Sequence, residues 1–217
     1  MNYSFTEENY IKAIYHLELK NGVANTNELA VALHTRAASV TDMIKKLKRK
    51  KLISYKPYYG CNLTQQGKAL ALLIIRRHRL WEYFLCEKLG FNWQEVHDVA
   101  EELEHVGSAT LIDRLDAFLG HPKFDPHGDP IPDSKGNFEV VSHAQLTALE
   151  VNRKGKVIQI GGQSPALLKM LEQKNISIGA EIKILQKSAY DNSLEISINN
   201  QHTAHISKEL AENIFVV

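Results

Sequence analysis

Between His97 and His105 the chain sets two histidines and four carboxylates, Asp98, Glu101, Glu102 and Glu104. Imidazole nitrogens and carboxylate oxygens together are ligands for divalent first-row cations. At 3.6 residues per turn, His97, Glu101, Glu104 and His105 follow the i, i+4, i+7, i+8 rhythm of one helical stripe. Asp98 flanks that stripe and Glu102 points elsewhere. Upstream, "HRLWE" places His78 and Glu82 one turn apart. Two helices that each present acid and imidazole from one face can cross so that the donors converge. His78, Glu101, Glu104 and His105 then supply two nitrogens and two carboxylates, a set suited to Mn²⁺ or Fe²⁺ and able to hold Zn²⁺. One His–Glu pair at this spacing is more often a surface ion pair. Two such pairs on otherwise apolar helices point to metal, because an unpaired buried acid is costly.

No catalytic signature accompanies these donors. "HEXXH" is absent, no Gly-rich phosphate loop occurs, and no serine or cysteine is set for nucleophilic attack. "GGQS" (Gly161 to Ser164) reads as a turn. The expected role of the ion is structural or regulatory, and the chain is not expected to be an enzyme. Cys61 and Cys86 lack CxxC spacing and read as two reduced thiols.

The elements that must position the donors belong to a 217-residue chain of ordinary soluble composition, 44% hydrophobic and 24% charged. That length allows one large domain or two to three small ones. No apolar run is long enough to span a bilayer, and "MNYSFTEENY" has no signal-peptide character, so a cytoplasmic protein without a membrane partner is expected. The net charge of +1 is unevenly spread. Residues 36–56 carry eight basic side chains against Asp42, whereas residues 95–116 carry seven acids against Arg114. The first stretch suits a polyanion and the second suits cations.

Ser4 and Glu7 have capping-box spacing ahead of a helix with Tyr10, Ile11, Ile14 and Leu17 on its apolar face. Asn25 and Glu28 repeat that logic for a short second helix. "RAASVTDMIKKLKRKKL" predicts a third, with Val40, Ile44 and Leu47 buried, and "LISYKPYYGCNLT" predicts two strands around a turn near Tyr59-Gly60. Three helices and a hairpin make a winged helix-turn-helix. "QQGKALALLIIRRHRLWEYFLCEKL" predicts one long helix. "NWQEVHDVAEELEHV" predicts another, capped by Asn92 and ended by Gly107, and "ATLIDRLDAFL" a third, between Ser108 and Gly120. "HPKFDPHGDPIPDSKGN" is a proline-rich loop or linker. From about Phe138 the strand-like runs "KVIQI", "AEIKIL" and "LEISI", with a helical "PALLKMLEQK", predict a small carboxy-terminal β-barrel-like module. The expected fold is therefore mainly α with a small β module. Its divisions are a winged-helix domain over residues 1–64, a helical domain that carries the donors over 65–137, and a β domain over 138–217.

On the third helix, Ala37, Ala38, Ser39 and Thr41 are small or hydroxylated, which lets the helix start enter a major groove closely. Arg36 precedes them. Lys45, Lys46 and the rest of "KKLKRKK" would lie near phosphates, as would Lys56 and the wing residues Tyr58 and Tyr59. A lysine run alone equally describes a solvated helix face. With the helix-turn-helix before it and the hairpin after it, double-stranded DNA is the expected partner.

At this point the sequence resembles the diphtheria-toxin-repressor and manganese-transport-regulator family of metal-dependent transcriptional repressors. The resemblance covers nearly the whole chain and rests on "HRLWE", "VHDVAEELEHV" and "DPHGDPIP" within the winged-helix and β-module order. It implies a homodimer whose two reading heads fit a palindromic operator when metal is bound, and control of metal-uptake and homeostasis genes. It implies that His78, Glu101, Glu104 and His105 form the main metal site, that Glu82 and His97 belong to an ancillary site, and that Asp125 and His127 are further ligands. A carboxylate at Glu101, where iron-responsive members have cysteine, shifts the expectation toward Mn²⁺, with Fe²⁺ as the alternative.

Three departures from the family pattern stand out. Asn9 occupies a position at which the family has an aspartate or methionine ligand, and an amide oxygen is a weaker donor. Lys12 replaces a glutamate used for a second adjacent ion. Ser164 and Leu167 fall where iron-type members place acid and amide ligands, which implies the loss of that contribution. Two other functions fit the residues alone: a metal-storage or hydrolytic protein, and a winged-helix regulator that answers to an organic ligand or another protein.

Overall fold

The structure is a computed structural model that describes residues 3–93, 95–162 and 164–217. It divides into two compact units. One takes in the chain up to His78 with Glu102–Arg114 and Pro132–Asn137; the other comprises Arg79–Glu101, Leu115–Ile131 and Phe138–Val217.

In the first unit, α1 (Phe5–Asn21) begins with the expected capping box. The Ser4 hydroxyl accepts from the Glu7 N–H at 3.3 Å, and the Ser4 N–H donates to the Glu7 carboxylate at 2.9 Å. Gly22 closes the helix at φ +77°, its N–H on the Glu18 carbonyl. Helices α2 (Thr26–Ala32) and α3 (Ala37–Arg49) follow as the helix-turn-helix pair, and strands β1 (Ile53–Lys56) and β2 (Gly60–Leu63) form the antiparallel wing. Tyr10, Ile11 and Ile14 of α1 join Leu29, Val40, Ile44, Leu47, Leu52 and Cys61 in one buried core. That burial is the main reason these short helices are stable. Cys61 exchanges two backbone hydrogen bonds with Ala24, which ties the wing to the loop before α2. Gly60, at φ +105°, stands where a Cβ would meet the Ala24 carbonyl oxygen at 2.6 Å, so only glycine permits this approach.

Helix α4 (Gln65–Leu89) is the long helix read from the sequence. Helix α5 (Val96–Leu103) is shorter than the apolar rhythm suggests: its last turn tightens to a Val106 N–H bond on the Leu103 carbonyl, and Glu104 and His105 lie in that turn. Asn92 acts at its start, its side chain accepting from the Glu95 N–H at 2.9 Å. Helix α6 (Ala109–Phe118) starts beside Ser108, whose hydroxyl accepts from Leu111, and ends at Gly120 with φ +76°.

The second unit contains an antiparallel six-stranded sheet in the order β3-β8-β4-β5-β6-β7. Its strands are β3 (Ala144–Gln145), β4 (Lys154–Ile160), β5 (Glu181–Lys187), β6 (Leu194–Ile198), β7 (His202–Ile206) and β8 (Ile214–Val216), with α7 (Pro165–Gln173) and α8 (Lys208–Glu212) between them. The three strand runs and the helix read from the sequence are β4, β5, β6 and α7. Alternating side chains of β5 and β6, among them Ile182, Ile184, Ile196 and Ile198, fill a core with Leu168 and Leu171 of α7. This is an SH3-like module. The pairing of β4 with β8 shifts register between Val157 and Gln159. In "GGQS", Gly161 forms a bend, and Gln163 lies outside the described residues.

Candidate metal centres and DNA-binding face

In the first unit the donors gather around Glu104, whose side chain is fully buried. His78 Nδ1 lies 2.7 Å from Glu104 Oε2, and Lys12 Nζ lies 2.8 Å from both Glu104 oxygens. His105 Nε2 is 3.9 Å from Glu104 Oε1, while its Nδ1 lies 2.7 Å from Glu8 Oε2. Glu8 accepts in turn from Arg77 at 2.8 Å. Carboxylates accept only, so neutral His78 and His105 each carry their proton on Nδ1 and keep the ligating lone pair on Nε2. Phe5 stacks on His105 at 4.5 Å and fixes the ring plane. Burial pushes the Glu104 carboxyl up, but the His78 hydrogen bond and the Lys12 charge outweigh it and hold the group below the ordinary glutamate range. Asn9 Oδ1 is buried and, among the described residues, has no hydrogen-bond partner. A buried amide oxygen left without a donor is costly and fits a cation ligand.

The second unit holds a different arrangement. Glu82, Asp125 and His127 are all buried, and one ligand atom from each lies within 4.8 Å of the others. His127 Nε2 donates to the Trp93 carbonyl at 2.9 Å, and the Trp93 ring stacks on the imidazole at 5.9 Å between centroids. This proton assignment leaves the Nδ1 lone pair facing Glu82 Oε2, 3.9 Å away. Asp125 Oδ1 accepts from the backbone N–H groups of His127 and Asp129, while Oδ2 makes no hydrogen bond and lies 3.5 Å from Arg79 Nε. Burial, then the charges of Asp129 and Glu82, push the Asp125 carboxyl well above the ordinary aspartate range despite Arg79. Glu82 and Asp125, both buried, and the partly exposed Asp129 thus crowd their carboxyl groups near Arg79, and a divalent cation would favour the ionised forms. The residues present therefore fit a divalent metal. His97 Nδ1 lies 3.4 Å from Glu82, and its Nε2 lies 3.7 Å from Glu101, one turn on.

The Asp125–His127 loop is seated on strand β4. The Ile160 N–H donates to the His127 carbonyl at 2.9 Å, and the Gln159 side chain donates to Asp129 at 2.7 Å. At the register shift of β4, a Cβ on Gly128 (φ +84°) would sit 1.9 Å from the Ile158 carbonyl oxygen.

The structure thus brings His78, Glu104 and His105 together in one unit, and Glu82, Asp125 and His127, with the His97–Glu101 pair, in the other. Sequence reasoning missed Glu8, Arg79, Trp93 and Asp129. Glu8 left a faint signal, since it shares an α1 face with Lys12 at i, i+4 spacing; Trp93 left none, because it acts through its backbone carbonyl and ring plane.

On the helix-turn-helix, Arg36, Ala37, Ala38, Ser39, Thr41 and Lys45 are exposed together. The Thr41 hydroxyl donates to the Ala37 carbonyl at 3.0 Å, and Lys45 pairs with Asp42 at 3.2 Å. Lys46 and Lys50 both pair with the buried Glu7, at 3.3 and 2.6 Å. Tyr58 is fully exposed at the wing tip, and Lys56 sits over the Tyr59 ring. This is an open basic helix face beside an aromatic hairpin, the shape that reads a major groove. No helix among the described residues is long and apolar enough to cross a membrane.

Three family models match. An iron-dependent repressor N-terminal DNA-binding domain covers residues 3–61, an iron-dependent repressor metal-binding and dimerisation domain covers 64–133, and a FeoA domain covers 144–217. The chain is 36% identical over 118 residues to the HTH-type transcriptional regulator MntR of Oceanobacillus iheyensis, covering 54% of this chain and 80% of that protein. It is 27% identical over 195 residues to the diphtheria toxin repressor of Corynebacterium efficiens, covering 84% of each. Similarity to the iron-dependent repressor IdeR of Mycobacterium tuberculosis, at 34% identity, spans 58% of this chain and only 55% of that protein. Among solved structures, a manganese-dependent transcriptional repressor in complex with manganese superposes with a TM-score of 0.87 at 32% identity, over 97% of this chain and 99% of that one. The manganese regulator SloR gives 0.79 at 30% identity, over 97% of each.

Proposed function

Because the chain belongs to the diphtheria-toxin-repressor and manganese-transport-regulator family of metal-dependent transcriptional repressors, we propose that it is a cytoplasmic homodimer that grips a palindromic operator of metal-uptake and homeostasis genes when loaded with Mn²⁺, Fe²⁺ being the alternative ion. Residues 1–64 form the DNA-binding domain, 65–137 the dimerisation and metal domain, and 138–217 the SH3-like domain. The observation that carries this reading is the buried Glu82–Asp125–His127 cluster, whose surplus negative charge a divalent ion relieves.

When bound, the ion supplies positive charge and a cross-link between elements rather than turnover. Glu82, Asp125 and His127 hold one site with His97 beside it. His78, Glu104 and His105 hold another, with Asn9 as its further donor. Oxygen and imidazole donors without a thiolate favour Mn²⁺ over softer ions. On the DNA side, Ala37, Ala38, Ser39 and Thr41 face base edges, while Arg36, Lys45, Lys46 and Tyr58 reach the phosphate backbone. A dimer presents two such helices, and half-site spacing then follows from its two-fold axis.

A DNA-binding titration of chelated protein, with and without Mn²⁺, Fe²⁺ and Zn²⁺, tests this. Tight binding to operator DNA is expected only with metal. Binding that ignores metal would favour a regulator answering to an organic ligand or protein, and no DNA binding under any condition would favour metal storage or hydrolysis.

A further inference from the structure

The two clusters differ in one respect that their donor types conceal. Around Asp125, the charges of Asp129 and Glu82 bear on its carboxyl, and Arg79 pairs with Asp125 and Asp129 at 3.5 and 3.7 Å. Around Glu104 the charges already cancel: Glu8 pairs with Arg77, and Glu104 pairs with Lys12. The Lys12 contact is no loose surface pair. Its Nζ lies 2.8 Å from both carboxylate oxygens, its side chain is 14% exposed, and that of Glu104 is 0% exposed. With His78 on Oε2 as well, the ammonium stands where a cation bound to this carboxylate would stand.

We propose that Lys12 is a resident cation of the His78–Glu104–His105 cluster, an intramolecular competitor that a divalent ion must displace from Glu104. This rests on the metal reading above. An ion entering with Lys12 in place would leave two net positive charges in a buried site, which is costly. The flexible four-carbon stem of lysine allows the ammonium to swing away and trade the carboxylate for water. The Glu104 cluster is therefore the weaker site, and the Asp125 cluster fills first.

Calorimetry with Mn²⁺ on the chelated full-length protein tests this, with Glu104→Gln identifying which class of site belongs to this cluster. Lys12→Leu should tighten that class roughly 10- to 100-fold, the weight of a charge-assisted hydrogen bond. Lys12→Arg, which keeps a cation, should leave it weak. A second measurement uses the unaltered chain: Lys12 should be protected from an amine-reactive reagent without metal and become labelled once Mn²⁺ saturates the protein. Unchanged affinity in Lys12→Leu, or protection of Lys12 that persists at saturation, would overturn the proposal while the metal reading stands. Absence of any Mn²⁺ binding would overturn both.

Discussion

His127 donates from Nε2 to the carbonyl of Trp93, and the Trp93 ring lies parallel to the imidazole at 15°. Two restraints on one ring set both its tautomer and its plane, so the lone pair on Nδ1 is aimed before any ion arrives. Trp93 also packs against the core of the β module. His127→Ala should therefore remove about one Mn²⁺ per chain in a calorimetric titration, at the level of order 10- to 100-fold lost affinity or more. Full stoichiometry in that variant would place the ion elsewhere.

Asp125→Asn separates folding from metal binding. Removing a buried carboxyl that is crowded by Glu82 and Asp129 should stabilise the metal-free protein by about 1–3 kcal/mol, since its charge is poorly compensated there. The same change should abolish most of the Mn²⁺-induced rise in melting temperature. Thermal melts with and without Mn²⁺ read both effects at once.

Gly128→Ala tests the seating of the loop on β4. A Cβ there meets the Ile158 carbonyl oxygen, and φ is +84°. The expected cost is roughly 1–3 kcal/mol of strain or a displaced loop. In either case the affinity at the Asp125 cluster should fall while that at the Glu104 cluster is kept. Competition titrations on the variant would expose an equal loss at both, which is the outcome that would refute this account.

Glu7 predicts a pH dependence. Burial pushes its carboxyl up, but the Lys50 hydrogen bond, the Ser4 backbone and Lys46 prevail and hold it at about 2, against an ordinary 4.5. A lowered folded value means that the unfolded chain binds more protons between those limits. The contribution is fully present above about 4.5 and is lost as pH falls toward 2. Both lysines are partly exposed, so solvent screening limits it to about 1–2 kcal/mol. Glu7→Gln should cost that much at neutral pH and flatten the acid limb of a denaturation series.

Contacts to DNA divide by chemistry. Lys45→Ala with Lys46→Ala should weaken operator and random DNA alike and lower the salt slope by about one to two, because phosphate contacts carry no sequence information. Ser39→Ala should shift preference among sites with little change in slope. Filter-binding series at several salt concentrations distinguish the two patterns.

Sequence alone determined the local architecture, because its signals act over a few residues. The Ser4–Glu7 box, the Val40–Ile44–Leu47 stripe and the strand runs that became β5 and β6 each state their own geometry. Helical spacing likewise placed acids and imidazoles on common faces. Which donor meets which was decided only by tertiary structure. Lys12 and Glu104 are 92 residues apart, and Glu8 and His105 are 97 apart. Periodicity assigns a side chain to a face but says nothing about what packs onto that face. The stripe through Glu101, Glu104 and His105 reads as one helix, yet α5 ends at Leu103, so Glu104 is delivered by a turn into contact with Lys12 and His78. The loop at Asp125 carries no periodicity at all. Its shape comes from β4, where a register shift and a glycine admit it, and from a tryptophan whose carbonyl fixes the histidine proton. Charge balance is a sum over neighbours in space, and so the difference between a compensated cluster and one left short of positive charge exists only in the folded chain.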